Sequence, residues 1–248
     1  MAVTVALALL AGVSNLHARE QVALRVGVYQ NPPKLFLDDQ GEMSGILGDL
    51  IGEIGQRENW ELNPVACEWE QCLKLLRDEQ IDLLPDVALN DARARDLDFH
   101  RIPALHSWSQ VYQLDGGALQ AVPDLEGKRV AVLSGSIQER YLQHLTDSFG
   151  VSVIWLSVDS YAEGFALLAS GEIDAVVSNH HYGEQQTISM DAEPTPIMFQ
   201  PAQLFFASSN ERHLTELQVI DDYLERWQTD PGSPYQTILR RWRDQEGT

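Results

Sequence analysis

The sequence predicts an α/β protein of two lobes joined by two extended crossings. Three observations point there. Strand-like and helix-like segments alternate from Leu24 onward, the pattern of a parallel sheet with covering helices. The alternation stops at Asp115-Gly116-Gly117 and then begins again. The 248 residues, 44% hydrophobic and 22% charged, suffice for two lobes, each with a real core.

The elements follow in order. Residues 24–30 alternate and end in Asn31-Pro32-Pro33, a first strand and its loop. Residues 38–41 (DDQG) form a tight turn. Residues 45–59 place Ile46, Leu47, Leu50, Ile51 and Ile54 on one side of a helix. A strand at 61–67, a helix at 70–80 and an apolar strand at 81–88 complete a βαβαβ run. Residues 90–99 read as a short polar helix entering a strand, and 107–114 as a further strand. The second unit has strands at 127–136, 151–156 and 173–179, with helices at 137–150 and 161–172 between them. Residues 196–209 are extended again, and two helices, 211–227 and 233–245, are split by TDPGSP. No repeat of a solenoid period is present.

This order assigns residues 24–113 with 203–248 to one lobe and 117–199 to the other, with crossings near 112–117 and 199–206. The cleft between such lobes is the default site. Open α/β sheets bind ligands beyond the carboxyl ends of their strands. Those ends carry Tyr29, Asn31 and Lys34; Trp69; Asp86, Ala88 and Arg93; Gly135 and Ser136; and Asn179 with His180. An aromatic, a cation, amides and backbone donors suit a small polar ligand carrying a carboxylate or similar anion.

The formal net charge of −20 repels nucleic acid and anionic membranes. A positive pocket can still exist within it, because near neighbours set a pocket's field. Residues 1–18 read as a signal peptide: an apolar run, too short to span a bilayer, with Leu16-His17-Ala18 as a cleavage site before Arg19. No Lys or Arg precedes Arg19, so the start reads as clipped or misassigned. The segment implies a periplasmic, extracytoplasmic location without membrane insertion after its removal. In an exported chain Cys67 and Cys72 are expected to form a local disulfide. They do not supply the four ligands of a zinc site, and no cofactor motif stands out.

The segments LRVGVY…PP, GILGDL, WEQCLKLL…IDLLPDVA, RARDLDF, LEGKRVAVLSGS and LLASGEIDAVVSN stand in one order over residues 24 to about 245. In that order the chain resembles the family 3 extracellular solute-binding proteins, periplasmic clamps for polar amino acids. The resemblance implies the type II periplasmic binding protein fold, a Venus flytrap with two hinge crossings. It implies a ligand-gripping role for Arg93, six residues before the Phe99 of Asp98-Phe99. A guanidinium matches a carboxylate with two parallel hydrogen bonds. Arg95 is expected to pair with Asp91 or Asp98. Gly135 and Ser136 match a turn whose backbone N–H groups bind the same carboxylate, Trp69 a stacking aromatic, and Tyr29 a contact at the first strand end.

Departures from the family pattern bear on the ligand. Asn179 stands where the family usually has the aspartate that pairs with an α-ammonium; Asp86 replaces a glycine, Lys34 a phenylalanine, and Ala88 a Thr or Ser. The expected ligand is therefore a small anionic or zwitterionic carboxylate, of which an amino acid is one option. The PPK-F-DDQG and DAVVSNHHYG stretches look most like the branch used as sensor domains of histidine kinases and diguanylate cyclases. The partner classes implied are an ABC-type permease or a fused membrane signalling module. The alternative is an enzyme resembling the cyclohexadienyl dehydratases of this fold, with Asp86 and His180 or His181 as acid–base groups. A docking role for the acidic surface and the terminal helices is a third reading.

Overall fold

The computed structural model describes residues 21–246, and the expected signal peptide lies outside them. Strand β1 (Val22–Val28) buries Leu24, Val26 and Val28. Strands β2 (Phe36–Leu37) and β3 (Met43–Ser44) pair around the expected turn, where the Asp38 carboxylate accepts the Gln40 and Glu42 N–H groups at 2.9 Å. Helix α1 (Ile46–Glu58) buries all five of its expected apolar residues and ends at Asn59, whose left-handed backbone breaks it. Strand β4 (Trp60–Ala66) lies parallel to β1.

Helix α2 (Trp69–Arg77) starts where the Gln71 side chain accepts the Glu68 N–H. A Cys67–Cys72 disulfide ties the end of β4 to its first turn. Strand β5 (Leu84–Ala88) is wholly buried, and the Gly27 N–H donates to the Leu83 carbonyl just before it. The 90–99 stretch forms only a short 3-10 turn, Arg93–Arg95, before β6 (Leu97–Phe99). The turn is too tight and brief for the polar helix the sequence suggests.

Strand β7 (Leu105–Leu114) leads to β8 (Arg129–Leu133), α3 (Ile137–Phe149), β9 (Ile154–Val158), α4 (Tyr161–Ala169) and β10 (Ala175–Asn179). Helix α5 (His180–Ser189) follows without a break. Its sequence, HHYGEQQTIS, has no apolar periodicity, so nothing in it announces a helix. Strand β11 (Ala192–Ser209) then runs for 18 residues, and α6 (Leu214–Thr229) and α7 (Pro234–Glu246) close the chain. Among the described residues no helix is long and apolar enough to cross a membrane.

One sheet has the order β5-β11-β7-β10-β8-β9, with β6 also on β11. β8, β9 and β10 are parallel; β7 and β11 run against their neighbours. The C-terminal part of β11 pairs with β5 and β6, and its earlier part pairs with β7. β7 and β11 are thus the two extended crossings. β7 is already paired with β10 at Ser109, so the first crossing comes earlier than residues 112–117.

Helices α6 and α7 return to α1, burying Leu217, Ile220, Leu224 and Ile238 with Leu47, Leu50 and Ile51. A second core holds Val130, Val132, Leu142, Val177 and Phe199. A third is shared, joining Trp69 and Leu73 of α2 to Leu133, Tyr161, Phe165 and Tyr182 of the other half. The two halves are therefore closed on one another.

Candidate functional site

The site is built where β5 ends. Asp86 sits in the left-handed region, φ 66°, a conformation that costs a non-glycine residue about 1 kcal/mol or more. That turn aims its carboxylate inward. Oδ1 accepts the Lys34 Nζ at 2.7 Å, and Oδ2 accepts the Asn31 Nδ2 at 2.6 Å and the Tyr29 hydroxyl. All four residues are buried. The Asn31 amide oxygen accepts the Asn179 Nδ2 at 3.0 Å, so the network crosses to the other half. Asn179 meanwhile caps α5, accepting the Tyr182 N–H at 3.2 Å.

The Lys34 loop is itself fixed. The Asn31 carbonyl accepts the Lys34 and Leu35 N–H groups, and the Pro33 and Lys34 carbonyls accept the first amides of α1. Gly45 has φ 100° and would place a Cβ 2.7 Å from the Lys34 carbonyl, so only glycine fits there.

Arg93 follows on the 3-10 turn. Its N–H donates to the Asn90 Oδ1 at 2.9 Å and its Nη1 to the Ala88 carbonyl at 2.9 Å. The guanidinium lies 5.1 Å from the Trp69 ring centroid, a cation–π contact. Arg93 is 3% exposed, and its Nη2 is buried without a hydrogen-bond partner. Burial pulls its pKa down to about 10, which leaves it cationic at neutral pH. No carboxylate pairs with it among the described residues. A buried charge with no ion partner is costly, and an anion from outside would relieve that cost.

The N-terminus of α3 faces the same space. Ser136 caps it, accepting the Glu139 N–H at 3.1 Å. Ile137 and Gln138, the first two helical residues, line the cavity. Amides at those positions have no intrahelical partner and suit an anion. The Gly135 N–H, by contrast, donates to the Glu139 carboxylate at 3.1 Å, and its carbonyl accepts the Trp69 Nε1 at 3.4 Å.

The cavity so enclosed has a volume of about 40 Å³. Past Ser107, Trp108, Ile137 and Ala202 it adjoins a wider groove of about 620 Å³. Trp108 there stacks on His180 with ring centroids 3.3 Å apart.

Tyr29, Trp69, Asp86, Ala88, Arg93, Ser136 and Asn179 all line the one cavity. Asn31 stands behind Asp86, and Gly135 is off the wall. Sequence reasoning passed over Tyr161, Ser109, Gln138 and the inward role of Lys34. Tyr161 follows β9 directly, so the strand-end rule would have found it. Arg95 is exposed and makes no ion pair with Asp91 or Asp98 among the described residues; Asp98 instead accepts the Glu211 N–H at 2.6 Å. The reason is the 3-10 turn, which does not set those side chains on one face as a longer helix would.

His180 is held neutral: its Nδ1 accepts the Trp108 N–H at 3.3 Å, and burial pushes its pKa down to about 3. His181 lies against the His106 carbonyl. Neither touches Asp86, so the acid–base pair of the dehydratase-like alternative is not assembled. No cluster of three metal-ligating side chains occurs among the described residues.

Fold and site together give two lobes closed around a small cavity with a buried cation in its wall. Residues 24–116 match the bacterial extracellular solute-binding proteins, family 3, and residues 86–214 match a family described as NMT1/THI5 like. The NMT1/THI5-like match spans just over half of the chain, which belongs to that family, and the family 3 solute-binding match covers its first part. The lysine/arginine/ornithine-binding periplasmic protein of Escherichia coli strain K12 is 28% identical over 181 residues, covering 70% of this chain and 68% of that protein. Across the first curated relatives the match spans 62% to 68% of their length. An ancestral arginine-binding protein bound to arginine superposes with a TM-score of 0.79 at 23% identity, covering 89% of this chain and 97% of that one. A histidine kinase sensor domain with similarity to periplasmic binding proteins gives 0.77 at 18%, covering 90% and 96%. At these identities the superpositions establish the shared α/β binding-protein fold.

Proposed function

We propose that the protein is a periplasmic solute-binding clamp that holds a small carboxylate or amino-acid-like ligand between its two lobes. One observation carries this: Arg93 is a buried guanidinium whose Nη2 has no hydrogen-bond partner and with which no carboxylate pairs among the described residues. A ligand carboxylate would accept from Nη2 on one lobe and from the first amides of α3 on the other. Contacts made from both lobes at once stabilise the closed form over the open one. The family and the binding functions named for the relatives support the reading.

Delivery to an ABC-type permease and signalling through a fused membrane module remain the two uses of such closure. The sensor-domain likeness supports the second, and the E. coli binding protein the first.

A thermal-shift screen of amino acids, dicarboxylates and aromatic acids tests the proposal, with Arg93→Ala as control. A ligand that binds only the folded state raises the melting temperature. The expected result is a shift from one carboxylate class that Arg93→Ala abolishes while still melting cooperatively. A shift that survives in the variant would remove Arg93 from the site.

A further inference from the structure

Three charged side chains line the inner cavity: Lys34, Asp86 and Arg93. Asp86 is the one carboxylate among them; Lys34 neutralises its charge at Oδ1, and Asn31 and Tyr29 occupy Oδ2, so three of its about four acceptor positions are taken. The Lys34 ammonium is 3% exposed, and its loop is pinned by backbone bonds on both sides. It is thus a fixed part of the wall. The other polar side chains at the cavity, among them Ser107, Ser109, Ser136, Gln138, Tyr161 and Asn179, are neutral.

We infer that Lys34 acts as a built-in ammonium that satisfies Asp86 from within the chain, so that the site selects a monocarboxylic acid lacking an amino group, such as a 2-hydroxy acid, over the corresponding 2-amino acid. This deepens the clamp reading and rests on it. The charge balance of the wall is one positive in excess, which an anion neutralises and a zwitterion does not. An incoming ammonium would find only a carboxylate already neutralised by Lys34 and would sit among two cations, a repulsion magnified where water is excluded. A hydroxyl at the same carbon can instead donate to or accept from the neutral groups. The wide outer groove, with Trp108 on its rim, leaves room for the acid to carry a longer or aromatic tail. The sequence marks Lys34 as a departure from its family; its contact with Asp86, 52 residues away, gives the departure a consequence.

Calorimetry with matched pairs tests this: lactate against alanine, and 3-phenyllactate against phenylalanine. The wild-type protein is expected to bind at least one hydroxy acid no less than 100-fold more tightly than its amino partner. Lys34→Met frees Asp86 and should narrow or reverse that preference, gaining at least tenfold for the amino acid. Because that variant leaves a buried carboxylate unpaired, Lys34→Met/Asp86→Asn serves beside it; with both charges gone it should keep the hydroxy acid and gain nothing for the amine. Tighter binding of the amino acid by the wild type, abolished by Arg93→Ala, would overturn the inference while leaving the clamp intact. An unchanged preference in Lys34→Met would overturn it as well. Binding of none of the four, with no Arg93-dependent shift in the wider screen, would overturn the clamp reading and this inference with it.

Discussion

His100 shows how a buried side chain ties stability to pH at the scale of a single residue. Its Nε2 accepts the Phe206 N–H at 2.9 Å, and its Nδ1 faces the Asp221 carboxylate at 3.5 Å. Burial pulls its pKa from 6.5 to about 4, despite the opposing pull of Asp221. The unfolded chain therefore takes up a proton before the folded one does. Stability is full above about pH 6.5 and declines as pH falls from there toward 4. His180 acts in the same direction, its pKa falling to about 3. Urea unfolding between pH 7 and pH 4 should show the decline, and His100→Gln should flatten it; a wild-type stability that rises on acidification would refute the assignment.

Legibility at this scale was uneven. Arg93 was singled out only through the family resemblance, by its offset to Asp98-Phe99, and the structure places it buried in the cavity wall. The pairing of Lys34 with Asp86 could not be read, because it is made across 52 residues by a left-handed turn that a sequence does not display.

Among the elements, those with a strong hydrophobic period were readable and those without were not. The buried stripe of α1 and the β5 run follow directly from their side chains. α5 does not: its place is set by packing against β7, where Gly183 meets Tyr112. A Cβ on Gly183 would lie 2.0 Å from the Tyr112 Cζ, and Tyr112 is fully buried. Gly183→Ala should therefore destabilise the protein by about 1–3 kcal/mol, the usual cost of overpacking. Chemical denaturation measures this, and an unchanged midpoint would show that α5 can move away freely. The same helix starts at Asn179, so the displacement should also loosen its bond to Asn31.

For the whole molecule, the two-lobed plan was visible in the break at residues 115–117 and in the restart of the α/β pattern. The crossing strands were placed less well. β7 and β11 belong to one continuous sheet, and only pairing partners show where a long strand passes from one half to the other. Closure is held by bonds between the halves: Trp69 to the Gly135 carbonyl, Ser134 to Glu70 at 2.8 Å, and Asn179 to Asn31. Trp69 and Asn179 also line the Arg93 cavity, so two of these bonds hold its wall. The acidic exterior, at −20 overall, and the cationic chamber are compatible because the chamber is shielded from the surface field.

On the clamp proposal a small carboxylate is gripped by Arg93 between the lobes. A crystal structure with the acid that gives the largest thermal shift tests it most directly. Carboxylate oxygens are expected within hydrogen-bond distance of the Arg93 Nη2 and of the first amides of α3, with Lys34 still on Asp86. An acid bound outside this cleft, or an Arg93 guanidinium turned away to an acidic side chain, would contradict the proposal.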